Sequence, residues 1–325
     1  MSLVTVVIPN YNGIKYLHNC LVSLKKQTYQ NLKIIVVDNA STDGSTDTIK
    51  SEFPDVVLLK RSDNGGFSVA VNEGFKESIS LGAKYSILLN NDTTVKEDFA
   101  ERLVACMEEE KRCFSAQAKL VSMSEPDKMD DGGNFYALTG WAYARGKGKS
   151  ADKYNRRIKV FSACAGAAIY RLEALKEVGF FDEEHFAYLE DVDIGYRARI
   201  YGWQNFYEPS AVVYHAGSGT SGSRYNEFKI RLAARNSVYL IYKNQPLLQW
   251  IGHFPWLFTG FIIKQLFFIL KGFGGLYHRS VLEGVKLCFS EKGRQNKVKF
   301  CWKHLGNYVI LEWEMFLNLF RKVLN

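Results

Sequence analysis

No C-x-x-C pair occurs in this 325-residue sequence, and its six cysteines are scattered at Cys20, Cys106, Cys113, Cys164, Cys288 and Cys301. That spacing argues against a zinc site or a disulfide framework and predicts reduced thiols, as in a cytosolic protein. No G-x-G-x-x-G follows the first apolar run, which disfavours a dinucleotide-dependent oxidoreductase. Internal repeats and low-complexity stretches are absent. The apolar pattern starts at Leu3, so a secretory leader is not expected. Acidic residues are scarce toward the end of the chain. Up to Ser223 there are 26 Lys and Arg against 29 Asp and Glu, a net of −3; from Arg224 there are 16 against 5, a net of +11.

The basic tail predicts a polyanionic surface as its partner. It is also rich in large apolar groups, among them Trp250, Phe254, Trp256, Phe258, Phe261, Phe267 and Phe268, which favours an anionic membrane surface over nucleic acid. Residues 244–263 carry no charge over the length of a spanning helix. Pro246, Pro255, Asn244, Gln245, Gln249 and His253 make a span costly, so the segment is expected to lie at the membrane interface. Exposed aromatic helices serve a second copy of the chain equally well, which leaves a homo-oligomer open.

A length of 325 residues suffices for one large domain and an appendage. The expected division is residues 1–223 and a basic, aromatic-rich helical region, 224–325. Strands are expected at 3–9, 32–37, 56–60 and 85–89, and helices at 14–27, 45–53, 67–80 and 96–111. Such alternation implies an α/β fold with parallel strands and helices on both faces. Residues 122–159 are Gly-rich and polar, with Asp130-Asp131-Gly132-Gly133 and the aromatics Phe135, Tyr136, Trp141 and Tyr143. A stretch of that length reads either as a lid or binding loop or as a β-hairpin excursion. The sheet resumes over 160–171, and 191–201 forms a further helix.

Ligands of open α/β sheets collect beyond the carboxyl ends of the strands. Asp38 and Asp92 stand at such ends, and the cluster Glu190-Asp191-x-Asp193 opens a helix. Carboxylates gathered in one cleft repel unless a cation or a proton-accepting reaction uses them. The combination points to metal-assisted transfer from a phosphate-bearing donor.

The ordered motifs carry a resemblance. They are Val6-Val7-Ile8-Pro9-Asn10-Tyr11-Asn12-Gly13, Val36-Val37-Asp38-Asn39-Ala40-Ser41-Thr42-Asp43-Gly44-Ser45 and Asn64-Gly65-Gly66-Phe67, then Leu88-Leu89-Asn90-Asn91-Asp92-Thr93 and Gly179-Phe180-Phe181-Asp182-Glu183, and finally Glu190-Asp191-Val192-Asp193 with Arg197 and Gly202. Across roughly the first two-thirds of the chain the sequence resembles the inverting glycosyltransferases of family 2, and within them the rhamnosyltransferase-like branch. The resemblance implies a GT-A fold, a mixed sheet flanked by helices, with a C-terminal helical, membrane-associated extension. It also implies a nucleotide-sugar donor, dTDP-rhamnose foremost, and a polyprenyl-linked glycan acceptor of surface polysaccharide synthesis at the inner face of the plasma membrane.

Residue roles follow from the same resemblance. Asp38 would accept a hydrogen bond from the nucleotide base, although a turn cap explains an Asp there too. Pro9 and Asn10 would line that pocket, and Asn64, Gly65 and Gly66 would let backbone approach the nucleotide. Asn90-Asn91-Asp92 stands in place of the family's D-x-D, with the first acid missing. Asp92 would hold Mg2+ or Mn2+, which needs one or two carboxylates when diphosphate oxygens and water complete its shell, with Asn91 beside the donor. His215 would touch metal or diphosphate, or serve structure. Arg231 and Arg235, four apart on an expected helix, would grip phosphate or belong to a solvated basic face. Asp191 would be the general base, kept ionised by the helix N-terminus, with Glu190 and Asp193 orienting it or the acceptor.

No Q-x-x-R-W signature appears, which argues against processive polymerisation. A sugar-1-phosphate nucleotidyltransferase would want a basic Gly-rich loop after the first strand, where Pro9-Asn10-Tyr11-Asn12-Gly13 stands. The missing first acid keeps a catalytically silent carbohydrate- or lipid-binding partner in view. Use of a UDP-sugar instead of dTDP-rhamnose also remains open.

Overall fold

The computed structural model describes residues 1–217 and 226–324, with side chains described through residue 321. The expected boundary between residues 223 and 224 falls outside the described residues. In chain order the first elements are β1 (Val4–Asn10), α1 (Ile14–Lys25), β2 (Leu32–Asp38), α2 (Ser45–Glu52), β3 (Val57–Lys60), α3 (Gly66–Ser80), β4 (Tyr85–Leu89), β5 (Thr93–Val95), α4 (Phe99–Glu109) and β6 (Cys113–Ser122). There follow β7 (Met129–Asp131), β8 (Asn134–Tyr136), β9 (Ala142–Ala144), β10 (Ile158–Val160), β11 (Ala167–Arg171), α5 (Leu175–Val178), α6 (Glu190–Ile200) and β12 (Gln204–His215). The tail is helical: α7 (Glu227–Asn244), α8 (Leu247–Leu270), α9 (Gly274–Phe289), α10 (Glu291–Gln295) and α11 (Leu305–Leu324).

The main sheet runs β10-β12-β6-β11-β4-β1-β2-β3, with β5 added on β12 and β7 on β6. Strands β4, β1, β2 and β3 are parallel, as the βα alternation demands. Beyond β4 the sheet becomes mixed, because β11 enters antiparallel to both β4 and β6. Val6 and Ile8 of β1 face one core cluster while Val7 faces the other, so this β-branched strand is buried on both sides. The amphipathic face of α1, Leu17, Cys20, Leu21 and Leu24, covers the first cluster. Truncating a side chain so fully buried, Leu21 to Ala for example, costs about 2–5 kcal/mol.

The expected strand over 160–171 is in fact two, β10 and β11, separated by a loop that crosses the carboxyl edge of β4. The polar insertion is no detached lid. It folds as β7 and the β8–β9 hairpin, with Phe135 and Tyr136 buried and an ordered run of backbone contacts back to the sheet.

The C-terminal helices pack on this body. Asn318 of α11 donates to the Tyr136 carbonyl at 2.9 Å and accepts the Tyr143 hydroxyl on its own carbonyl at 2.6 Å. Helix α8 is long and apolar enough to cross a membrane by length and composition, yet one of its faces is committed to protein. His253 is buried against Gln245 and Glu312, and the Gly260 carbonyl accepts the Trp141 indole N–H at 3.2 Å. Its other face, Leu248, Ile251, Phe254, Phe258, Ile262 and Leu266, is exposed. Trp302, Val309, Ile310 and Trp313 on and before α11 are exposed as well.

Candidate functional site

Parallel register places Asn10, the last residue of β1, opposite Asp38, the last of β2. The Asn10 amide donates to Asp38 Oδ1 and to the Ser45 hydroxyl, both at 2.9 Å, and its Oδ1 accepts the Asn91 amide at 2.8 Å. The second oxygen of Asp38 accepts the Ser41 backbone N–H at 3.0 Å. Asp38 is 1% exposed, and the role visible here is to tie the ends of β1 and β2 together and to close the turn after it. Asn10, Asp38 and Asn91 thus meet at one sheet edge, with Pro9 beside them and half-buried.

Asn64 forms the turn before α3 by accepting the Gly66 N–H at 3.0 Å. The structure gives Gly66 a reason other than nucleotide approach. Its φ is +85°, and an added Cβ would meet the Phe186 carbonyl and ring at 2.6 Å. Gly65 is tight for a similar reason, its missing Cβ facing Arg61 and Val69.

Asp92, just past β4, meets His215, the last residue of β12, because β5 pairs His215 with Thr93. His215 Nε2 lies 3.2 Å from Asp92 Oδ1, and His215 Nδ1 lies 2.7 Å from Asp130 Oδ2. Burial pulls the imidazole pKa down, but hydrogen bonds to Asp130 and Asp92 outweigh it and push it up to about 9. Asp130 is itself held well below the usual carboxylate range by His215 and Lys147, against its burial. A carboxylate and an imidazole converging from two strands, the imidazole oriented by a further carboxylate, form a donor set that fits a divalent cation once the cation takes the place of the Nε2 proton.

Asp191 stands in the first turn of α6. Its oxygens accept the Val192 N–H at 2.7 Å and the Asn134 amide at 3.0 Å, with the Ala165 N–H also directed to it. Burial first, then the neighbouring Asp131 charge, raise its pKa; the three donors pull it back, to about 6. Burial thus outweighs the donors around the carboxylate and sets the direction of the shift. Glu190 is pushed up further, to about 8, by burial and by Asp191, and its Oε2 finds no partner among the described residues.

Asp92 and Asp191 are both tied to the same end of the β4–β11 pair, where Leu89 stands opposite Ala167. The Asn90 N–H donates to the Gly166 carbonyl at 2.9 Å, and the next residue back, Ala165, donates to Asp191. Asp131 accepts from Gln117 at 2.9 Å, and the opposite end of the same amide accepts the Cys164 N–H at 2.7 Å. Hydrogen bonds run from Asp92 through His215 to Asp130, and the charge of Asp131, next in the chain, acts on Asp191. Asp130, Asp131 and Asn134 were not expected in the site from the sequence. The signal was present: Asp130-Asp131-Gly132-Gly133 interrupts an aromatic insertion, and Gly133, with φ +106°, lets its N–H turn back onto Asp131 at 2.8 Å.

Three expected residues go elsewhere. Asp193 is wholly buried on the far side of α6 and bonds Arg197 at 2.9 Å, Lys243 at 2.8 Å and Asn244 at 2.8 Å. It cannot orient Asp191, because residues two apart on a helix point in opposite directions. Arg231 is exposed and pairs with Glu283 at 2.9 Å, and Arg235 turns inward to the Glu184 and His185 carbonyls. Neither reaches the Asp92 cleft. A second grouping, Asp182, His185 and Asp193, is close enough to surround an ion. The Lys243 ammonium already bridges its two acids, at 2.7 and 2.8 Å, and burial drives His185 down to about 4, leaving it neutral. That cluster is a charge-balanced clamp between α6 and α7.

A mixed sheet with flanking helices is shared with solved structures. The mannosyltransferase PcManGT from Pyrobaculum calidifontis, solved with GDP-Man and Mn2+, superposes with a TM-score of 0.55 at 13% identity over 96% of this chain and 87% of its own. GalNAc-T7, solved with UDP, GalNAc and Mn2+, gives 0.60 at 15% identity over 75% of this chain and 48% of its own. These likenesses show the fold, that of a GT-A glycosyltransferase. The chain belongs to Glycosyl transferase family 2, whose profile matches residues 5–179. Glycosyltransferase GlyG of Streptococcus pneumoniae is 32% identical over 190 residues, 57% of this chain and 60% of GlyG. The alignment thus spans less than two-thirds of GlyG's length. The N-acetylglucosaminyl-diphospho-decaprenol L-rhamnosyltransferase of Mycobacterium tuberculosis is 26% identical over 282 residues, 80% of this chain and 90% of that protein.

Proposed function

We propose that this chain is an inverting glycosyltransferase that moves one sugar from a nucleotide-diphosphate donor to a hydroxyl of a polyprenyl-linked glycan. The favoured donor is dTDP-L-rhamnose, supported by similarity to the mycobacterial rhamnosyltransferase along most of both chains. The observation that carries the reading is that Asp92, paired with His215, follows β4, while Asp191, held by Asn134 and the Ala165 N–H, lies at the same end of the adjoining β11. Asp191, ionised above about pH 6, takes the proton of the acceptor hydroxyl as that oxygen attacks the anomeric carbon. The sugar–phosphate bond breaks on the opposite face, so one displacement inverts the configuration. Asn134 and the Val192 N–H hold the carboxylate toward the acceptor.

Asn10, Asp38, Asn91 and Pro9 frame the base end of the donor site. Asp92 and His215 would hold a divalent cation, and a mixed carboxylate–imidazole pair suits Mn2+ better than Mg2+. Such a cation neutralises charge on the leaving diphosphate.

The division into a catalytic unit, 1–223, and a helical region, 224–325, is part of the proposal. So is attachment of the exposed apolar faces of α8 and α11 to the inner leaflet of the plasma membrane, where basic residues of the tail meet anionic lipid. The test is transfer by purified protein from a panel of dTDP-, UDP- and GDP-sugars to a polyprenyl-diphosphate glycan with Mn2+ present. Inverted product from dTDP-rhamnose supports the reading; donor binding without any product would leave a silent binding partner instead.

A further inference from the structure

Residues 184–189, which lead into the Glu190-Asp191 turn, have a backbone that cannot satisfy itself. Phe186, Tyr188 and Leu189 all have positive φ, at 60°, 70° and 66°, and none is glycine. Phe186 is the centre of a tight turn in which the Ala187 N–H reaches the His185 carbonyl at 2.7 Å. Carbonyls in such a run point outward in several directions, and each needs a partner from another part of the chain.

Two helices supply them. The Phe186 carbonyl accepts the Phe67 N–H at the start of α3, at 2.7 Å. From α7, the Asn236 amide nitrogen lies 2.9 Å from the His185 carbonyl, 2.9 Å from that of Ala187 and 2.7 Å from that of Tyr188. Arg235 adds bonds to the Glu184 and His185 carbonyls and donates Nε–H to Asn236 Oδ1 at 2.9 Å, which fixes the amide's orientation. Asn236 is wholly buried.

We propose that Asn236, oriented by Arg235, is a positioning residue for the general base: it holds the left-handed turn that aims the first turn of α6, and with it Asp191, into the cleft. An amide is suited to this because its NH2 gathers several carbonyls while its oxygen takes the guanidinium, a division no carboxylate or aliphatic side chain reproduces. The C-terminal region therefore acts on catalytic geometry from within the protein, apart from any contact with lipid. The inference rests on Asp191 being the base.

The test measures kcat and donor KM for Asn236→Ala, with Asp191→Asn and Ser237→Ala in parallel and thermal melting for each. Ser237 bonds within its own helix and serves as the neighbouring control. Displacing a reacting group by about 1 Å costs on the order of 100-fold in rate, so kcat of Asn236→Ala is expected to fall about 10- to 100-fold. Donor KM should stay within about threefold, since the donor end is built by β1, β2 and β4. Ser237→Ala should match wild type. A kcat within about twofold of wild type, or a loss carried by donor KM, overturns the positioning role. Should Asn236→Ala fail to fold, Arg235→Gln removes the guanidinium bonds alone and must show the same split in weaker form; an unchanged kcat there overturns the role equally. Full activity of Asp191→Asn would instead sink the base assignment, and this inference with it.

Discussion

His215 bridges two carboxylates from different parts of the fold, Asp92 at 3.2 Å and Asp130 at 2.7 Å. Asp92 is the one acid of Asn90-Asn91-Asp92, and in the proposed site a nitrogen from β12 would stand in place of the missing acid. Chelation with EDTA is expected to abolish transfer, and Mn2+ to restore it. His215→Gln should raise the Mn2+ concentration for half-maximal activity; Asp130→Asn, which loosens the imidazole, should raise it about 10- to 100-fold. Metal-titrated initial rates check both, and a His215→Gln enzyme with wild-type Mn2+ dependence would remove that residue from the donor set.

Asp191→Asn is expected to lower kcat by about 100- to 10,000-fold with donor binding preserved. The same substitution should not weaken the fold above pH 6. Asp191 has a raised folded-state pKa, so its contribution to stability is present at low pH and lost as pH rises through about 6. An amide removes that penalty. Paired rate and denaturant measurements at pH 7.5 test the two halves separately.

The pH profile should follow the same group. The acid limb of kcat/KM is expected near pH 6, with activity rising as Asp191 ionises. The charged or polar groups facing it are Asp131 from β7, Glu190 on its own helix and the Asn134 amide from β8. Asp131→Asn removes a like charge and should move the limb to lower pH; movement upward would contradict the arrangement.

Lys243→Met leaves Asp182 and Asp193 facing each other with half their compensation gone. Breaking such a buried pair costs about 3–5 kcal/mol, which a urea melt would register, while the effect on kcat should be secondary. Deleting the chain from residue 224 would strip the same lysine, so truncation is a poor probe of membrane binding.

Point changes on the exposed face serve that purpose better. Phe254→Ser with Phe258→Ser and Ile262→Ser should leave the melting temperature nearly unchanged and lower sedimentation with anionic phosphatidylglycerol vesicles. Equal vesicle binding by the triple variant and wild type would reject α8 as the contact.

Much of this molecule is written locally. The apolar runs ending in Asn10, Asp38 and Leu89 mark strands buried on both faces, and the helical spacing of Leu17, Cys20, Leu21 and Leu24 marks a helix by its period of 3.6. Once β1, β2 and β4 are parallel neighbours, their tips must share an edge, so the meeting of Asn10, Asp38 and Asn91 was legible. The switch to a mixed sheet at β11 was less so, because apolar runs carry no sign of direction. Asp191 and Asp193 differ for a reason also in the sequence: two steps along a helix reverse the face, sending one acid to the cleft and the other to Lys243. What the sequence does not contain is who stands opposite. Asp130 beneath His215, Asn134 against Asp191 and Asn236 under the 185–188 turn are separated from their partners by 48 to 85 residues. No local pattern marks such meetings, since each exists only when the packing of whole elements brings a buried polar group to a partner it must have.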